Sequence, residues 1–417
     1  SISNKGDLVT ITSGDGADSI SNKGDSVTIT SGDGDDTIEN TSSSVTINAG
    51  NGVDSITNTA SNVSINLGGG DDTYANTVSS VTINGGANDD SITNSGSTVK
   101  ITGDDGNDYI YNSAASVTID SGNDNDTISN SSLGTNVSIV GGAGADFITN
   151  AAESVTIDGG NGNDTITNSV SFVTIQGGGD ADSIVNTATN VSINLGSGND
   201  TFSNSVSFVS ISGGEGADSI TNSNSNVKIW AEAGNDKISN SGESATIDGG
   251  NDNDTIENSS SGTNVSIIGG AGDDTIDNKA EKVTICGGNG ADSILSSASN
   301  VTIIGDKDTD NAGFGDDIIS VSGGENIYIF GDNANGRKAD VTQSSNDKIY
   351  VAGGVSKVTI NAGDGDDIVS VSGSLITING GAGDDIISLQ GASVDNNIIE
   401  YSGGNDIIYG LNSTDII

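Results

Sequence analysis

The sequence contains no proline, no methionine and no histidine, and only one cysteine and one arginine. Each absence removes a class of chemistry. Without histidine there is no Ser-His-Asp triad, no His-Glu-x-x-His zinc helix and no imidazole base. Cys286 by itself makes neither an internal disulfide nor a thiolate cluster. Aromatic residues are 3% of the chain, and 12 basic residues stand against 58 acidic ones, a formal net charge of −46. Such a chain repels a phosphate backbone and offers few rings for base stacking, so nucleic acid is not an expected partner. No run approaches the 18 or so apolar residues of a membrane helix, and no basic-then-apolar segment opens the sequence, so membrane insertion is not expected. With 32% hydrophobic residues and so one-sided a charge, composition alone points toward disorder. Something besides a large core must stabilise a fold.

What the sequence has is glycine, 62 of 417 residues, and a period. Aligned on Gly-x-Gly-x-Asp, the chain reads Val-Thr-Ile-x-Gly-Gly-x-Gly-x-Asp-x-Ile-x-Asn followed by a short Ser/Thr-rich link. The last Asp of the motif falls at Asp18, Asp36, Asp54, Asp72, Asp90, Asp108, Asp126, Asp146, Asp164, Asp182, Asp200, Asp218, Asp236, Asp254, Asp274 and Asp292, with 13 spacings of 18 and two of 20. Both longer spacings add two residues to the same link, Ser131 to Asn136 and Ser259 to Asn264, which leaves the flanking pattern in phase. The interval from the first of these links to the second equals that from Tyr74 to Phe202, the two aromatic replacements of an otherwise-Ile position, so a seven-turn block reads as copied whole.

Within a repeat the apolar period is two, the signature of a strand. Nine residues before the Asp stands Val in 15 of 16 repeats, with Ala245 the exception, and seven before it stands Ile in all 16. Two residues after it stands Ile in 14 of 16. The residues between them are polar and face water. One turn cannot bury three aliphatic side chains alone, but turns stacked about 4.8 Å apart bury a continuous column and pair every backbone group. The expected fold is all-β, a right-handed parallel β-solenoid of about 21 turns, roughly 100 Å long. It divides into a regular part, 1–304, an irregular part, 305–357, and C-terminal turns, 358–417.

The glycines mark a tight corner. At the position two before the Asp, Gly is replaced only by Asn88, Asp124, Asp180 and Asp252, residues that tolerate positive φ. Stacking in register places the motif carboxylates about 4.8 Å apart along one edge, where like charges repel. A cation between adjacent turns removes the conflict. Carboxylate and carbonyl oxygens, with no nitrogen or sulfur ligand at hand, suit Ca²⁺ better than Mg²⁺. The 16 regular turns give 15 gaps, and looser turns at Asp317, Asp347, Asp367, Asp385 and Asp406 raise the count toward 20, enough to offset most of the −46 charge. The opposite corner carries Asn four residues after the Asp in 15 of 16 repeats, with Ser296 the exception, and reads as a ladder of stacked amides.

Gly159-Gly160-Asn161-Gly162-Asn163-Asp164-Thr165-Ile166-Thr167 resembles the nonapeptide G-G-x-G-x-D-x-U-x of the repeats-in-toxin (hemolysin-type) calcium-binding β-roll. The resemblance extends over most of the chain and implies that the aligned aspartates, with loop carbonyls, clasp Ca²⁺ between turns. That family's roll carries the motif in both halves of a coil. Here the second half, for example Asn168 to Gln176, lacks it, so calcium is expected along one edge only.

Past Ile303 the spacings between motif aspartates become 25, 30, 20, 18 and 21. Asp306, Asp308 and Asp310 lead to Asp317 with the first, third, fifth and twelfth spacing of an EF-hand loop, but Asn311 stands where that loop needs Gly. The expectation is an extra calcium site held by these carboxylates rather than a genuine EF-hand. The loop holding Arg337 and Lys338 reads as surface. Ser1 to Asn4 aligns with Ser19 to Asn22, so the chain starts inside the pattern, and an uncapped solenoid end needs a flanking domain or another copy to cover it. The ending Asp415-Ile416-Ile417 is similar to the tails of some proteins exported by type I secretion.

The expectation is a non-enzymatic calcium-binding structural protein of the bacterial cell surface or extracellular matrix, its copies stacking end to end. The alternative is a spacer in a large secreted adhesin. Ice binding and a polysaccharide-modifying β-helix are weaker readings, the first lacking a Thr row at the calcium turns and the second a cationic groove.

Overall fold

In each repeat the pattern builds one long strand and one short strand. Thr156–Asn161 and Thr165–Asn168 are an example. Thr and Ser point outward while Val155, Ile157 and Ile166 point inward, each no more than 2% exposed. The computed structural model describes residues 1–306, 315–332, 345–391, 396–400 and 402–417. They form two compact units, Ser1–Thr201 and Phe202–Ile417. Each is a parallel β-solenoid, with no helix among the described residues. The chain makes about 21 coils. The expected boundaries near 304 and 357 both fall inside the second unit.

The register follows the sequence period. Ile157 lies beside Ile175, and Ile166 beside Ile184. Across the first of the two longer spacings Thr118 pairs with Ser138 and Thr127 with Phe147, so the two added residues sit wholly in the link, where Leu133 is 71% exposed. Past Ile303 the sequence period fails but the register does not: Ile294 pairs with Ile319, Ile319 with Ile349, and Ile349 with Val369. The variable spacing is taken up between the strands.

The amide ladder forms as expected. In a typical coil Asn168 accepts from Asn150 Nδ2 at 3.0 Å, and its own Nδ2 donates to Asn186 Oδ1 at 2.9 Å and to the Val170 carbonyl at 2.8 Å. After Ser296 the same corner position is filled by Val321, Val351, Val371 and Leu389, all buried. The amide ladder thus gives way to an aliphatic one, and packing replaces hydrogen bonding. This corner also carries a left-handed residue that no glycine marks, such as Ser44 (φ 59°), Thr98 (φ 59°) and Phe172 (φ 62°).

One coil interrupts the second sheet. Short strands pair in register up to Ser55–Asn58 and again from Thr73–Asn76 onward, but these two do not pair with each other. Ser55 N–H donates to the Asp36 carbonyl and Ser91 N–H to that of Asp72, both at 2.8 Å, and among the described residues no such bond joins Thr73 to Asp54. Ile56 and Asn58 rise to 8% and 6% exposure, against 0% for Ile38 and Asn40. The break coincides with Tyr74, a ring with a buried hydroxyl in a column of isoleucines. The long strands of the same coils remain paired.

Tyr74→Ile should close the gap and slow hydrogen exchange, read by NMR or mass spectrometry, at Thr73 and its neighbours; unchanged exchange there would show that the ring is not the wedge. Asn168→Ala removes the Asn150 to Asn168, Asn168 to Asn186 and Asn168 to Val170 hydrogen bonds, while Asn150 Nδ2 keeps its bond to the Ala152 carbonyl; at about 0.5–1.5 kcal/mol for each bond lost, the midpoint of urea unfolding should fall.

Candidate metal centre

Each long strand runs into a corner of two left-handed residues. Gly160 and Gly162 have φ of 110° and 111°. Asn88, Asp124, Asp180 and Asp252 take positive φ at the second of these positions, as their residue types suggested. At the first, Asp104 (φ 77°) and Glu232 (φ 80°) do the same. The chain then turns into the short strand at the motif Asp, whose side chain points back under the corner.

These aspartates form a column in each unit. In the first, the Asp18 N–H donates to Asp36 Oδ1 at 2.7 Å, Asp36 to Asp54 at 2.8 Å, and so on to Asp182 and Asp200 at 2.7 Å. In the second, the sequence runs from Asp218 and Asp236 at 2.7 Å to Asp367 and Asp385 at 2.9 Å. The irregular spacings do not break it: Asp292 N–H reaches Asp317 at 2.8 Å, Asp317 reaches Asp347 at 2.9 Å, and Asp347 reaches Asp367 at 2.8 Å. All the motif aspartates from Asp36 to Asp385 are buried. Asp18, with the Ser1 ammonium 3.8 Å away, and Asp406, which accepts from Asp385 N–H at 3.2 Å, are half-buried.

One carboxylate oxygen is therefore satisfied by backbone and the other is not. Oδ2 of Asp36, Asp54, Asp72, Asp90, Asp108, Asp126, Asp146, Asp164 and Asp182 in the first unit is buried with no hydrogen-bond partner. The same holds for Asp236, Asp254, Asp274, Asp292, Asp317, Asp347, Asp367 and Asp385 in the second. Burial is the main force on these groups, and it pushes Asp90, Asp108, Asp164 and Asp182 up to about 7. The neighbouring N–H pulls each back and the carboxylate of the adjacent coil adds to the rise. Asp292 and Asp367 reach about 8, and Asp317 about 10.

A buried anionic oxygen without a donor is costly and calls for a positive partner. Among the described residues no three acidic side chains converge on one point, so side chains alone do not make a metal site. Main-chain carbonyls complete the set. A Cβ built on Gly213 would lie 2.5 Å from Asp218 Oδ2 and 2.5 Å from the Ala231 carbonyl oxygen of the next coil. Carboxylate and carbonyl thus face the same small space across two coils. An all-oxygen donor set of this kind fits a hard divalent cation.

Of the acidic residues before Asp317, Asp306 is 1% exposed and stands level with Gly288 of the preceding coil. Its Oδ2 accepts from Gly315 N–H at 3.2 Å and its Oδ1 has no partner. Burial, then the carboxylates of Asp347 and Asp332, raise it to about 8. Asp308 and Asp310 lie outside the described residues, as do Arg337 and Lys338. Asp317 serves in the main column. Asp332 is a buried acid that the sequence pattern left unmarked; it accepts from Ser345 Oγ and from Asp364 N–H, each at 2.7 Å. The repeated Ile-x-Gly-Asp of Ile303 to Asp306 and Ile329 to Asp332 is the signal that would have found it.

Without a cation the column has a definite pH response. Carboxyls such as Asp108 and Asp292 bind protons more tightly folded, near 7 and 8, than unfolded, near 3.9, so the folded chain carries more protons across that interval. Stability of the metal-free fold accordingly falls as pH rises from about 4 to about 8. In calcium-free buffer the far-UV strand signal should be stronger at pH 5 than at pH 8; the reverse order would mean that the carboxylates are not buried as described.

Seven segments of the chain, 135–154, 140–168, 212–243, 261–280, 287–311, 377–391 and 393–417, match the RTX calcium-binding nonapeptide repeat. No characterised protein and no solved structure matches the chain significantly. The glycine corners, the buried aspartates and these matches identify the chain as one carrying RTX calcium-binding nonapeptide repeats, which bind multiple Ca²⁺ ions.

Proposed function

We propose that the chain is a non-enzymatic structural protein of the bacterial cell surface or extracellular matrix, that Ca²⁺ stiffens its solenoid along the aspartate edge, and that its copies join end to end. The observation that carries this reading is the row of buried Oδ2 atoms, which have no donor from the protein itself. Calcium at these oxygens, shared between motif carboxylates and corner carbonyls, offsets charge that otherwise drives the coils apart. Metal binding and folding are then one process. A chain that stays unfolded where calcium is scarce and folds where it reaches millimolar levels suits export followed by assembly outside the cell. The family's association with secreted bacterial proteins supports the same placement.

A second reading, a spacer within a larger adhesin, is favoured by the seven-turn block that recurs along the sequence, since whole-coil duplication changes length without changing the surface. The two readings part in one experiment. In excess chelator at neutral pH the far-UV spectrum should be that of a disordered chain, and adding calcium should restore strand; a strand-rich spectrum in chelator would end the calcium-folding account. Electron micrographs of the calcium-loaded protein should show filaments much longer than one molecule, whereas uniform short particles would reject end-to-end joining and leave the spacer.

A further inference from the structure

The residue five positions before the motif Asp is a fourth inward-facing position that the sequence pattern did not single out. Its identity varies from coil to coil, and it borders the unpartnered carboxylate oxygen. In many coils it is Gly. A Cβ on Gly85 would run into Asp90 Oδ2 and lie 2.7 Å from the carbonyl oxygen of Gly103 in the next coil. The same two kinds of oxygen, from Asp164 and from Gly177, meet a Cβ placed on Gly159. Absence of a side chain is what leaves these oxygens facing a common space.

Where the position is Ser, the hydroxyl enters that space. Ser31 Oγ donates to the Ala49 carbonyl and Ser121 Oγ to the Gly141 carbonyl, both at 2.6 Å. The carbonyl that a cation would use therefore takes a proton donor when the chain supplies one. Leu67 is the other extreme. The pairing of Asn84 with Asn66 and of Gly86 with Gly68 puts Leu67 level with Gly85, and it is 1% exposed. An isobutyl group there has no charge, donates nothing and fills the room. The same coil carries Tyr74 at the inward position of its short strand, so it is apolar on both sides of the corner.

Resting on the calcium reading above, we propose that this inward position decides which coils hold an ion, and that the Leu67 coil holds none. Calcium occupies the coils whose cradle is open at Gly85 or Gly159 and skips Asp72, where added apolar packing takes the place of the ion. The chain then binds fewer ions than it has motif aspartates. Leu195 and Phe202 repeat the Leu67 and Tyr74 pair at the matching place in the second copy of the seven-turn block, so the substitution recurs as a pair.

The test is the number of Ca²⁺ ions on the full chain, counted by native mass spectrometry at saturating calcium, with circular dichroism confirming the fold. Leu67→Gly should bind one ion more than the parent chain and Gly159→Leu one fewer. Leu67→Ser, which keeps more of the packing, should gain a weaker ion and serves if Leu67→Gly does not fold. An unchanged count in a folded Leu67→Gly or Leu67→Ser chain overturns this proposal while leaving the calcium reading intact. A parent chain that binds no calcium at all overturns the calcium reading itself.

Discussion

The structure turns on a carboxylate with two unlike oxygens. Stacking coils in register gives each motif Asp one backbone N–H, from the Asp of the preceding coil, and within each unit that bond ties the edge together at 2.7–2.9 Å through nearly its whole length. The same stacking buries the other oxygen with nothing to donate to it. A buried hydrogen bond to a charged group is worth keeping only if the remaining lone pairs are also met. The fold therefore contains its own demand for a cation.

The rest of the coil accommodates that edge. Left-handed corners bring carbonyls close to the carboxylate, and the missing side chains at Gly85 and Gly159 leave room between coils. On the far side, stacked amides such as Asn150, Asn168 and Asn186 satisfy themselves without any external partner. One corner is complete as polypeptide and the other is not, which is why chemistry concentrates on a single edge. The aliphatic column between them is narrow, three or four side chains per coil, and stabilises only because it is continuous.

Tyr74 marks a local fault in that column. Two short strands part there, while the long strands and the aspartate edge of the same coils stay joined. The hydrogen bonds lost are local. A solenoid of nearest-neighbour contacts absorbs such a fault without passing it on, because each coil touches only the next.

Much of this was legible in the linear sequence. The period of 18, the alternation of Val155, Ile157 and Ile166 with polar neighbours, the positive φ at Asn88 and Asp124, and the Asn ladder all depend on residue type and spacing within one coil. Local sterics and strand alternation act there, and a sequence displays them directly. The stacked structure settled what depends on the adjacent coil: which carboxylate oxygen finds a donor, that register survives the irregular spacings past Ile303, that Asp332 is buried, and that a sheet parts at Tyr74. Those outcomes are set by distances between residues of different coils, where room for one side chain is fixed by the backbone of another, and no single repeat contains that information.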